Sequence, residues 1–379
     1  MMSESTYVKR AEVVAQDEKS AVDAFAQRIR QPDMAGVIFF CSSNYDPARL
    51  GQALREQFTC PVIGCTTAGG IGSTYQQNGI VGLSLSAEMF RMHAVAIDPL
   101  NEFSNSAAEK LASKLRSELQ FSDSLDSKKM FGFILIDGLS CMEEQVIASI
   151  YNSFDSMPII GGSAGDDLRF EETRIYVDGE FRSGAAVFSI IETHLPFKTF
   201  RLHHFEPTEK DFVITGADPS RRIVSEIDGS PAAEEYARII GLDMDKLSPQ
   251  VFTTHPTMLQ IGNEWYVRSV KNVNEDGSLS FACAIDIGLP LTIAKGMGFV
   301  ETLRQKVDEI EAEFSSIEFT LGCDCTFRLI EMLETGVEKE VEQQIKRINL
   351  IGFSTYGEQF NSIHVNQTLT GVVVGKLKQ

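Results

Sequence analysis

One phrase is written three times in this chain, and a repeat of that kind sets the architecture before any single residue does. It reads Pro61-Val-Ile-Gly-Cys-Thr-Thr-Ala-Gly69, then Pro158-Ile-Ile-Gly-Gly-Ser-Ala-Gly165, then Leu350-Ile-Gly-Phe-Ser-Thr-Tyr-Gly-Glu358. Each copy has the same surroundings: an apolar run, a helical stretch, the phrase, and another apolar run. The natural reading is a mixed α/β protein built from repeated strand–helix–strand units.

Within the first unit, Gly36–Cys41 is a short apolar run of the buried-strand type, and Asp46 followed by Pro47 is an N-cap and first-turn signal for a helix ending near Gln57. Strands are expected at about Gly79–Leu85 and Met89–Ile97, and an amphipathic helix over Ser106–Leu119. The second unit repeats the order, with a strand at Phe131–Ile136 and a helix from Glu143 to Phe154. There Ile175–Val177 and Gly184–Ile190 read as a hairpin around Asp178-Gly179. Residues 197–240 read as a connector containing a strand from Phe200 to Phe205. The third unit comprises Phe319–Cys325, a helix over Glu338–Ile348, the phrase at Leu350 and a closing strand near Thr370. The domain division expected from this pass is 35–228, holding two repeats, and 229–379, holding the third.

Charge and cysteine usage narrow the function. With 34 Lys plus Arg against 53 Asp plus Glu, the formal charge is −19 and no basic stripe offsets it. Such a surface repels phosphate backbones and anionic lipid, so nucleic acid and membrane surfaces are poor partners. Seven scattered cysteines and no apolar leader point to reduced thiols and a cytoplasmic location.

The motifs that invite chemistry are weak. The Gly-rich turns lack a P-loop lysine, and Asp166-Asp167 directly after Gly165 would repel a phosphate. Cys323-x-Cys325 has no second pair at metal-ligand spacing. Gly161-Gly-Ser-Ala-Gly165 has the nucleophile-elbow spacing around Ser163, but no helix signal follows it, so the chain is not read as an enzyme. Among six histidines, His204 would share the apolar face of Phe200 and Leu202 on the expected strand, with His203 on the other face. There it is either a satisfied core residue or a ligand in an apolar pocket. Tyr356, Glu358, His364 and Asn366, gathered near the third phrase, form a candidate site for a small polar ligand.

Gly64-Cys-Thr-Thr-Ala-Gly69 with Gly161-Gly-Ser-Ala-Gly165 resembles the N-terminal part of FIST proteins, and Tyr356-Gly-Glu358 with His364–Thr368 resembles the companion C-terminal part. Gly70 departs from the pattern, standing where the family often has Glu. The resemblance implies a sensory, ligand-binding module of bacterial signalling. It is similar to the free-standing nitric-oxide-sensing haemoproteins (the NosP-like group), and so implies haem b, nitric oxide as ligand and a histidine kinase or other signalling protein as partner. On that implication His204 is the first candidate for the haem iron, with His203 next and His364 third. The alternative it implies is a sensor for a small metabolite such as an amino acid, without haem. A homo-oligomer is compatible with either.

Overall fold

The computed structural model describes residues 7–119, 128–154 and 157–378. Its first unit runs β1 (Val8–Val13), α1 (Glu18–Ile29), β2 (Met34–Ser42), α2 (Pro47–Gln57), β3 (Val62–Thr67), β4 (Gly70–Ile71), β5 (Tyr75–Gln76) and β6 (Ile80–Ser86). The second unit has the same order: β7 (Phe90–Ile97), α3 (Asn105–Glu118), β8 (Met130–Ile136), α4 (Glu143–Ser153), β9 (Ile159–Ser163), β10 (Ile175–Val177), β11 (Glu180–Arg182) and β12 (Ala186–Thr193).

The third unit opens with β13 (Phe197–Leu202) and is then interrupted. The interruption holds β14 (Phe205–Asp218), β15 (Ile223–Ile227), β16 (Ser230–Pro231), α5 (Ala232–Ile240), α6 (Pro249–Thr254), β17 (Thr257–Ile261), β18 (Glu264–Arg268), β19 (Val270–Val273), β20 (Leu279–Phe281) and β21 (Pro290–Gly296). The unit resumes with α7 (Phe299–Glu313), β22 (Phe314–Cys325), α8 (Thr326–Thr335), α9 (Glu338–Arg347), β23 (Leu350–Thr355), β24 (Glu358–Phe360), β25 (Ile363–Val365) and β26 (Leu369–Leu377).

The repeated phrase is the second strand of a parallel pair in every unit: β2 with β3, β8 with β9, and β22 with β23. Its glycine falls on the same rung each time, with Phe39 opposite Gly64, Ile134 opposite Gly161 and Gly322 opposite Gly352. A Cβ on any of the three would run into the carbonyl oxygen of its partner. The glycine is there because the two backbones approach closely.

Each parallel pair is flanked by antiparallel strands in the orders β1-β6-β2-β3, β7-β12-β8-β9 and β13-β26-β22-β23. The edge beyond the phrase is filled from another unit. The hairpin β4-β5 joins the third sheet, β10-β11 the first, and β24-β25 the second. The exchange is cyclic, so the three units close into a pseudo-threefold ring and each sheet needs its neighbour for its last two strands.

One apolar core lies where the three inner sheet faces meet, with Phe40 stacked on Phe353 at 4.2 Å and Phe133 and Leu321 in the same cluster. Three outer clusters pack the helices against the other faces, with α1 and α2, α3 and α4, and α7 to α9 each covering one sheet. Helix α2 starts as its sequence dictates: Asp46 Oδ1 accepts from Arg49 N at 2.9 Å and Pro47 occupies the first turn.

Several expectations are corrected. Asp178-Gly179 turns β10 into Glu180–Arg182, while residues 186–193 pair with β7 and β8 instead. The strand drawn through Phe200–Phe205 stops at Leu202, and His203 and His204 lie between strands. Residues 197–240 are no connector. They begin an inserted sheet, ordered β18-β17-β21-β14-β15-β20-β19, with its own core against α5 and α6.

Candidate functional site

Ligands of open parallel sheets bind beyond the carboxyl ends of the strands, because the chain there leaves the ladder with free loop geometry. In the second unit this end is covered by the inserted sheet. Glu143, at the start of α4, is 1% exposed; its Oε2 accepts from Arg222 Nη2 at 2.6 Å and its Oε1 from Ser163 Oγ at 3.4 Å. Glu144 accepts from the same Arg222 nitrogen at 2.7 Å and from Ala284 N at 2.7 Å. Burial works against its carboxylate, but His364, Arg222 and the Ala284 N–H hold its pKa down at about 2. Arg222 Nε is buried without a hydrogen-bond partner.

Outside this ion pair the loop after β9 folds around Asp166. Its carboxylate accepts from the backbone N–H groups of Phe170 (2.9 Å), Glu171 (2.7 Å) and Glu172 (2.9 Å), and also from Tyr356 Oη. That anchor presents Phe170 flat against Tyr356, with centroids 4.5 Å apart and planes 21° apart. Lys271 Nζ, from β19, lies over the Phe170 ring at 4.0 Å from its centroid. Burial lowers the Lys271 pKa, and Cys141, Arg222, Asp166 and Glu143 all lie close enough to act on its charge. Lys271 makes no ion pair with any described residue. A partly desolvated ammonium against an aromatic ring, with the carboxylates of Asp166 and Glu143 already taken by protein donors, has the chemistry to receive an anionic group.

The sequence-predicted residues divide. Tyr356 belongs to this cluster, and its phenol is pushed up by burial and by the Asp166 carboxylate. Glu358 does not reach it. Wholly buried, Glu358 accepts from Thr355 Oγ1 and from Thr368 Oγ1 and N at 2.7 and 3.1 Å; burial raises its pKa to about 8. It ties β23 to the turn before β26. His364 is buried between Gln359 Nε2 (3.3 Å, to Nδ1) and the Ala282 carbonyl (3.3 Å, to Nε2), and burial lowers its pKa. Asn366 accepts from Ser269 N at 3.4 Å. The polar run 362–368 is thus the seam on which the inserted sheet is seated, joined further by Arg268 Nη1 to the His364 carbonyl at 2.8 Å.

His204 and His203, the first two of the three histidines suggested for haem, do not fit that role. His204 sits at the neck where the insertion leaves and returns, with Met297 N on its carbonyl at 2.6 Å. Its Nε2 is 2.8 Å from Glu331 Oε1 and its Nδ1 is 3.3 Å from Arg328 Nη1. Phe205 and Phe299 pack on the ring at 4.1 and 4.7 Å. Iron would have to break the hydrogen bond to Glu331 or displace the arginine. His203, whose pKa burial lowers to about 4, accepts from Phe205 N at 3.4 Å through Nδ1. Ser163 is fully buried, bonded to Glu143 and Gln359, and no helix follows it, so the elbow geometry is absent.

Sequence reasoning missed Arg222, Lys271, Phe170 and Asp166. Asp166 stands directly after the second phrase, where it was read only as a charge that would repel a phosphate. Lys271 and Arg222 carried no signal, since an insertion delivers them. No described helix is long and apolar enough to cross a membrane.

Residues 35–230 match the FIST N domain and residues 232–361 the FIST C domain. The chain is also 24% identical over 399 aligned positions to an uncharacterized protein of Methanocaldococcus jannaschii, covering 94% of this chain and 76% of the relative. The two family matches meet inside the inserted sheet, at β16.

Proposed function

The chain belongs to the FIST family of sensory ligand-binding proteins, and from that premise we propose that it is a receptor for a small carboxylate metabolite, amino acids among them. The ligand's anionic group pairs with Lys271 and its body lies along Phe170 and Tyr356. The observation that carries this reading is Lys271: a half-buried cation over an aromatic pair, with no carboxylate partner among the described residues. Occupancy would tighten the contact between the inserted sheet, which brings Lys271, and the ring, which brings Phe170 and Tyr356. That change is what a signalling partner, such as the histidine kinase implied by the resemblance, would read.

A thermal-shift panel of amino acids, their deaminated carboxylates and the matching amides tests it. A ligand at about 100 times its dissociation constant stabilises the fold by about 2.7 kcal/mol. Carboxylates are expected to raise the melting temperature and amides to leave it unchanged. A panel in which amides act as well as acids would refute the reading.

A further inference from the structure

The outermost strand of a sheet keeps one row of backbone N–H and C=O groups without a partner in that sheet, and each ring unit has such a strand: β1, β7 and β13. Two of the three carry the charges that discourage further pairing. β1 has Lys9, Arg10 and Glu12, with Arg28 donating to the Glu12 carbonyl; β13 has Lys198 and Arg201, paired with Glu313 and Glu264. β7 lacks them, since Met92 to Ile97 includes no acid, lysine, arginine or proline.

The phase of the ladder fixes which groups of β7 are left over. His194 N donates to the Met89 carbonyl and Leu100 N to the Gly184 carbonyl, whereas Thr193 N donates to Lys129 and the Ala185 carbonyl accepts from Asp137 N. Even-numbered residues of β12 therefore bond toward β7 and odd-numbered ones toward β8. With Ala186 opposite Ile97 and Thr193 opposite Phe90, the bonded residues of β7 are the odd-numbered ones. Ala94 and Ala96 thus turn their N–H and C=O groups outward, and no described residue bonds to them. Both residues are half-buried and small, so another backbone can come close.

This edge is the floor of a groove. Toward the first unit a cleft of about 660 Å³ opens beside Met92–Ala94, walled by Leu54, Phe58 and Tyr176. Toward α3 a cleft of about 380 Å³ opens beside Val95–Ile97, lined by Phe103, Leu111, Lys110 and Lys114. The two lysines stand one turn apart on α3 and make no ion pair with any described residue. Of the acids lining that cleft, Asp98 is held by Arg182 at 3.3 Å and Glu102 lies in the turn before α3.

We propose that the free edge of β7 binds an extended segment of a partner protein as an added strand. The backbone of the segment pairs with Ala94 and Ala96. Apolar side chains of one parity face Leu54, Phe58 and Tyr176, and acidic side chains of the other face Lys110 and Lys114. Backbone donors and acceptors that recur every second residue, about 7 Å apart, are answered by another extended backbone, and the flanking clefts read its side chains. Walls from α2 and α3 stand on either side of the edge, so a lone strand fits where a second sheet with its own helices does not.

The test is titration of the full chain into a fluorescently labelled heptapeptide of alternating valine and glutamate, with valine at both ends, read by anisotropy. It is expected to bind, and the same peptide with lysine for glutamate to bind at least about tenfold more weakly. Lys110→Glu combined with Lys114→Glu should reverse that preference. Methylating the backbone nitrogens of the valines alone, or of the glutamates alone, should abolish binding in one case and spare it in the other, because one parity of N–H faces β7. Ala96→Pro removes an outward N–H and leaves the bonds to β12 in place, so it should weaken the peptide about tenfold with the melting temperature kept. The proposal is overturned if the peptide fails to bind, if the lysine peptide binds equally, if the two methylated peptides behave alike, or if Ala96→Pro leaves affinity unchanged. A chain that sediments as a dimer, and as a monomer once Ala96→Pro is introduced, would assign the edge to a second copy and also overturn it. Should Ala96→Pro not fold, the methylated pair and the charge reversal decide the matter by themselves.

Discussion

Glu358 stands beside Tyr356 and Gly357 in the third phrase, yet the structure makes it a buried tie, and that assignment has a measurable consequence. Burial holds its carboxyl at about 8 in the folded chain against an ordinary value of 4.5. The protonated form is therefore the one that suits the fold. The stability this contributes is fully present below about pH 4.5, declines as pH rises, and is gone above about pH 8. Each pH unit in that window changes stability by about 1.4 kcal/mol, so the loss between pH 6 and pH 8.5 is about 2–3 kcal/mol. Glu358→Gln keeps the shape and stays neutral, and its amide oxygen can still accept from Thr355 Oγ1. Urea unfolding of wild type and variant should be compared at half-unit steps from pH 6 to 8.5. Burial pushes His203, His204 and His364 down, and their contribution is common to wild type and variant, so it cancels in the difference. The variant should gain about 2–3 kcal/mol on wild type across the range. A difference that stays flat with pH would refute the buried-acid assignment.

Other perturbations report on other parts of the architecture. Arg222→Ala leaves Glu143 buried and unpaired, which should cost about 3–5 kcal/mol in denaturant unfolding; a loss below about 1 kcal/mol would mean the pair is solvated. Gly352→Ala forces a methyl into the Gly322 carbonyl at the closest rung of the third parallel pair, and should destabilise by at least about 2 kcal/mol, while Gly184→Ala, with open space around its Cβ, should be milder despite its positive φ. With haem added, wild type and His204→Ala are expected to give the same absorption spectrum, because both ring nitrogens of His204 already serve Glu331 and Arg328; a Soret band lost only in the variant would contradict this.

What could be read from the sequence was local. Asp46-Pro47 marks α2 to within a residue, and the recurrence of a glycine at 64, 161 and 352 marked three equivalent units, although the phrases were read as turns and are strands whose backbones approach a parallel partner closely. What could not be read depends on partners distant in the chain. The pair Gly70–Ile71 belongs to the third sheet and Glu358–Phe360 to the second, a swap with no trace in hydrophobic pattern. Strand β1 was missed because Val8, Lys9, Arg10, Ala11 and Glu12 do not alternate cleanly, and α8 because no side chain caps its start after β22. The candidate site fared likewise. Tyr356 was found from its place in the phrase, whereas Lys271 and Arg222 arrive on an inserted sheet whose seat on residues 362–368 made that run look like a ligand site.

The carboxylate receptor centred on Lys271 is tested most directly by calorimetric titration of the best-binding acid from the panel into wild type and Lys271→Met. Loss of one charge-assisted bond predicts a dissociation constant roughly 10- to 100-fold weaker in the variant, with the unfolding free energy unchanged or raised, since a partly buried charge has been removed. Equal affinity in the two proteins would place the ligand elsewhere and contradict the account.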